Sequence, residues 1–145
     1  MPNSTTNFSF NKPLVNNATD ADVWGGYLND NWDDVDELIS KEQFHVLITS
    51  PTNKTYVLAQ KMRHAGTITE TTTDCSEGTA TATFNIDGTP LGGTANSVST
   101  TEQSQAHASS NTFSAGDTLS VAVSSNSGCK DLAISVFYTR TSAGS

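Results

Sequence analysis

Apolar residues recur along this chain with two different periods, and the change of period divides it. Over residues 19–41, TDADVWGGYLNDNWDDVDELISK, Trp24, Leu28, Asn31, Val35 and Leu38 fall at alternating spacings of four and three. That rhythm lines them along one narrow face of a helix, with the polar Asn31 inside the seam. Thr19 with Asp22 three residues on resembles a capping box with a short acid, Asp20 and Asp22 suit the positive end of a helix dipole, and Lys41 suits the far end. Gly25 and Gly26 together cost about 2 kcal/mol relative to alanine in a helix interior. They mark a kink or a close packing contact, and the firmly helical part is expected over 27–40. The pattern alone fits two uses equally: a helix packed on its own chain, or an assembly seam between copies.

After this segment the period drops to two. Residues 44–49 and 55–62 read as a hairpin about the turn SPTNK, and 66–73 as a weaker strand with Ile68 its one large apolar residue. In 78–86, Ala80, Ala82, Phe84 and Ile86 alternate with Thr79, Thr81, Thr83 and Asn85, and Asp87-Gly88 is a strong turn signal. Residues 96–101 and 104–109 are mostly polar strand candidates. Leu119, Val121 and Val123 share one face, as do Leu132, Ile134, Val136 and Tyr138, with SSNSGCK expected as the loop between them. Short strands at this spacing, each with one polar face, predict a mainly β fold: a jelly-roll-like two-sheet sandwich over residues 43–145. It is preceded by a helix over 19–42, for anchoring or trimerisation, and by an N-terminal arm over 1–18. In the arm Phe8 and Phe10 alternate, Pro13 forbids helix continuity, and with Leu14 these residues are expected to dock on a neighbour.

Composition sharpens this reading. Charged residues are 15% of the chain, whereas Ser and Thr together number 40, which favours strands and hydroxyl-rich turns. Such a lean core gains from burial between subunits. The net charge of −8 is uneven, because residues 1–42 hold eight acids against two bases. That balance opposes binding to phosphate backbones, so nucleic acid is not an expected partner. No run is apolar enough to span a membrane, and the polar start MPNSTTNFSFN lacks the features of a signal peptide, so synthesis in a cytoplasm is expected.

No catalytic, cofactor-binding or metal site is expected. His45, His64 and His107 are scattered, and the acids Asp33, Asp34, Asp36 and Glu37 spread around the helix as a solvated face. Cys75 and Cys129 lie 54 positions apart in none of the paired spacings that hold zinc. If their strand ends meet at the same end of the sandwich the two thiols bridge in an oxidising medium; otherwise they are two reduced thiols without a role.

The run NFSFNKPLVNNATDADVWGGYLNDNWDDVDELI resembles the N-terminal segment of tail-fibre and related virion proteins of tailed bacteriophages. The likeness is carried by Asn7, Asn11, Lys12, Pro13, Asp22, Trp24, Gly25, Leu28, Asn29, Asn31, Trp32, Asp33, Asp36 and Leu38. Val23 before Trp24, and Asn16-Asn17 where a glycine is common, depart from the pattern. The later runs GTATATFNIDGTPLGG, FSAGDTLSVAVSSNS and DLAISVFYTRT look like a small β-sandwich of phage tail and capsid-surface proteins. The resemblance implies a homotrimeric structural protein of the virion, anchored by its N-terminal segment on other capsid or tail proteins. Its β-domain would face outward, for attachment to host-surface glycans in a fibre or spike, with Tyr56 or Lys130 at the tip. Two alternatives stay open: a capsid decoration protein that cements the head, and a carbohydrate-binding β-sandwich module. An enzyme is not expected.

Overall fold

The computed structural model describes Asn3–Ser4, Asn11–Lys12 and residues 24–141, with side chains from Asp30 onward. The chain forms two units, Met1–Ser40 and Lys41–Ser145. In the first, β1 (Asn3–Ser4) pairs antiparallel with β2 (Asn11–Lys12), and α1 spans Trp24–Ser40. The arm residues Phe8, Phe10, Pro13 and Leu14 lie outside the described residues, as do Thr19, Asp20 and Asp22.

The helix starts at Trp24, three residues before the expected firm part. Gly25 and Gly26 thus occupy its first turn, where backbone N–H groups have no intrahelical partner and glycine loosens little. At the other end Ser40 Oγ donates to the Glu37 carbonyl at 3.0 Å. Lys41 does not belong to the helix as expected; it opens the first strand of the sandwich, which begins two residues earlier than residue 43. The reason is the length of the last strand, whose Thr139 and Tyr138 pair with Lys41 and Glu42.

Among the described residues ten strands make the second unit: β3 (Lys41–Ile48), β4 (Thr55–Ala59), β5 (Gly66–Asp74), β6 (Glu77–Ile86), β7 (Thr89–Pro90), β8 (Asn96–Val98), β9 (Gln103–Ala106), β10 (Thr112–Phe113), β11 (Leu119–Lys130) and β12 (Leu132–Arg140). One sheet runs β10-β5-β12-β3, with β9 also on β5; the other runs β4-β11-β6-β7, with β8 also on β6. Every pairing is antiparallel. With the short strands β9 and β10 sharing one edge and β7 and β8 another, this is the four-on-four order of a jelly roll.

Alternation sets the core. Ala80, Ala82, Phe84 and Ile86 of β6, Leu119, Val121 and Val123 of β11, and Leu132, Ile134 and Val136 of β12 all point inward and are buried. The weakest-looking strand, β5, is central: it lies between β12 and the β9–β10 edge and buries Thr71 and Thr73 beside Ile68. Threonine is β-branched and fits there, provided its hydroxyl is partnered.

The expected loop SSNSGCK is strand instead. β11 continues to Lys130 across register shifts between Ser124 and Gly128, and Asp131 alone turns the chain, with φ 50°. The extra residues form a bulge that Asn126 fastens: its Nδ2 donates to the Pro51 carbonyl, its Oδ1 accepts from Cys129 N, and its own N–H reaches Asn53 Oδ1. A polar, glycine-bearing run reads as a loop, yet bulges need such residues. The turn at Asp87-Gly88 forms as expected, both residues at positive φ.

Candidate functional site

β3 and β4 end their sheets on the same side of the sandwich, each with one edge that no strand among the described residues pairs. Along β3 every second residue points inward, but Phe44, Val46 and Ile48 are only half-buried, and so are Tyr56 and Leu58 of β4. The two edges leave a cleft of about 430 Å³ floored by Phe44, Val46, Leu58, Met62, Phe113 and Tyr138. The Tyr138 ring meets Phe113 edge-on at 5.6 Å and Phe44 at 6.3 Å between centroids, the geometry that aromatic quadrupoles favour. Burial, and next the Glu42 carboxylate, push the Tyr138 phenol above its ordinary value. The cleft is also lined by His45, Lys61, Arg63 and His64, so an apolar floor is edged with cationic and imidazole groups. Among the described residues no carboxylate pairs with Lys61 or Arg63, whereas Lys130 and Arg140 are paired with Glu77 and Glu42.

The end of the sandwich opposite Lys41 gathers four connections. The β3–β4 turn touches β11 through Val123 N donating to the Lys54 carbonyl, and Asp131 N reaches the Thr49 carbonyl. Cys75 N donates to Ser99 O, which draws in the β8–β9 loop. Tyr56 and Lys130 both lie at this end. The Tyr56 phenolic oxygen accepts from Thr52 N at 2.8 Å, Lys54 Nζ sits 4.8 Å above its ring, and the Thr52 hydroxyl contributes most to holding its pKa below the ordinary value. Lys130 pairs with Glu77 at 2.7 Å, an exposed ion pair of small energetic weight. Cys75 and Cys129 also meet here, both buried and both as free thiols.

His107 lines a second, smaller cavity of about 240 Å³ together with Phe84, Leu91, Gly93 and Asn96. It is buried; its Nδ1 donates to the Gly92 carbonyl at 3.0 Å, and its Nε2 lies 2.9 Å from Thr71 Oγ1. Asn96 Nδ2 donates to the Thr71 carbonyl, and Asn111 Nδ2 to the carbonyls of Ile68 and His107. These groups fasten β5 to β8 and to the β9–β10 edge, and Thr71 is fully buried.

Of the expected seam, Asn31 and Val35 are half-buried and Leu38 is 47% exposed, while the side chains of Trp24 and Leu28 lie outside the described set. Sequence reasoning missed two neighbours: Trp32 and Ile39, 64% and 61% exposed, follow Leu28 and Val35 by one turn and widen the apolar stripe. The signal was available in the i, i+4 spacing, but a strict alternation of four and three discards it. No described helix is long and apolar enough to cross a membrane. Compared with known proteins, the chain matches no family model, no curated protein and no solved structure.

Proposed function

We propose that this chain is a structural subunit of a tailed-bacteriophage virion, a short homotrimeric fibre or spike anchored through its N-terminal segment with the sandwich outward. One observation carries the self-assembling part of this reading. The large apolar side chains exposed among the described residues, Trp32, Leu38, Ile39, Leu47 and Val57, all fall on α1 and on the two edge strands β3 and β4. Large apolar side chains left exposed on a helix and on the outer faces of two edge strands are what association removes from water, and a core rich in Thr and Ala gains from it. The placement in a phage particle rests on the WGGYLNDNWDDVD wording. Anchored at the N-terminal side, the sandwich would present the end that carries Tyr56 and Lys130 to a host surface.

The test is a stained gel of purified particles bearing this protein. A fibre or spike is present at the low copy number of a tail or vertex structure; a band at the level of the shell subunits would instead make it a decoration protein. A second reading, a carbohydrate-binding module, is favoured by the aromatic cleft with its Lys61, Arg63 and His64 edge. It predicts a monomer that binds immobilised saccharides and loses them on Tyr138→Ala or Arg63→Ala while staying folded. A trimer silent on a saccharide array would remove it.

A further inference from the structure

Cys75 lies in the turn between β5 and β6, and Cys129 near the end of β11, 54 positions later. The backbone brings the two turns together. Ser76, next to Cys75, donates from N to the carbonyl of Lys130, next to Cys129, at 3.0 Å, and its Oγ donates to Asp131 Oδ2 at 2.8 Å. The approach is so close that Gly78 has no room for a side chain: a Cβ there would overlap the Gly128 carbonyl and lie 2.5 Å from Cys129 N. Cys75 Sγ donates to the Gly78 carbonyl at 3.4 Å, and Gly78 in turn lies against the Gly128–Cys129 peptide. Both are in the core, at 5% and 4% exposure.

We propose that Cys75 and Cys129 are a built-in redox latch, closing as an intrachain disulfide across the far end of the sandwich when the protein meets an oxidising medium that holds a small-molecule disulfide. One cysteine thiolate attacks that disulfide and expels one small thiolate; the second cysteine then attacks the mixed disulfide and expels the other. One S–S bond forms in the protein, one breaks in the oxidant, and the two thiol protons end on the two small thiols released. Burial and the neighbouring thiol push Cys129 up to about 11, so the thiolate is scarce at neutral pH and closure is slow there, faster as pH rises. The bond joins the β5–β6 turn to β11 and closes a long loop, which restricts the unfolded chain. It is independent of the assembly reading.

The test uses the full chain, reduced, freed of reductant and incubated with oxidised glutathione at mildly alkaline pH. Thiols titratable in denaturant should fall from two per chain to none, with a mass loss of about 2 Da and no linkage between chains. The thermal midpoint should rise by on the order of 10 °C and return on reduction. Cys129→Ser and Cys75→Ser should show no oxidant-dependent rise; if either fails to fold, the wild-type thiol count and mass decide alone. Persistent free thiols, stable glutathione adducts or chains joined to one another would overturn the latch.

Discussion

Thr71 and Thr73 face the same core from the same strand, and they differ in what their hydroxyls meet. Thr71 Oγ1 is within bonding distance of His107 Nε2 and Asn96 Oδ1, while Thr73 Oγ1 is buried with no hydrogen-bond partner among the described residues. A buried hydroxyl left unmatched costs about 1–3 kcal/mol, and one that is matched contributes about 1 kcal/mol. Thr73→Val should therefore stabilise the sandwich by about 1 kcal/mol, and Thr71→Val should destabilise it by about 1–2 kcal/mol, in denaturant titrations of the reduced protein. Cys129 sets a pH dependence. Its thiol is raised from an ordinary value of 9.0 to about 11. Between these values the unfolded chain has released a proton that the folded one retains, so its contribution is full below pH 9 and is lost as pH climbs towards 11. The stability difference between reduced wild type and Cys129→Ser should shrink by about 1 kcal/mol from pH 8 to pH 10. A constant difference would remove the thiol from the pH response.

Among the elements, those that bury one clean face were legible from alternation alone: β6, β11 and β12 carry their apolar residues where the period of two puts them, since a slip by one residue would turn every one outward. The bulged half of β11 was not legible, because its pairing depends on Asn126 being held by Pro51 and Asn53, in a connection that carries the chain from one sheet to the other instead of closing the expected hairpin. The centrality of β5 was hidden too, as inward threonines look polar until their partners are known. Gly78 shows the same dependence on distant backbone: at φ 74°, against the Gly128 carbonyl, Gly78→Ala should cost about 1–3 kcal/mol in thermal or chemical unfolding. On α1, Val35→Asp with Leu38→Asp should dissociate a helix-mediated oligomer without unfolding the sandwich, read by light scattering alongside circular dichroism. An unaltered oligomer would move the interface to the β3 and β4 edges.

For the whole molecule, the jelly-roll order emerges because strands that pair are far apart in sequence, β3 with β12 and β5 with both β12 and β9. Sequence patterning predicts the class, but the neighbours come only from the fold. The cleft is the clearest instance: His45 sits on β3, and Lys61, Arg63 and His64 follow β4, so nothing in their spacing marks a shared wall. Of the exposed large apolar residues, Leu38 was legible from the helical period; Trp32 and Ile39 were passed over by the strict four-and-three spacing, and Leu47 and Val57 needed the sheet order to be known. In the proposed assembly, copies of the same chain remove these exposed apolar residues from water. Sedimentation equilibrium of the purified full chain tests it most directly. Three chains of 15.3 kDa predict a single species of about 46 kDa, and a species that stays at the mass of one chain at high concentration would contradict it.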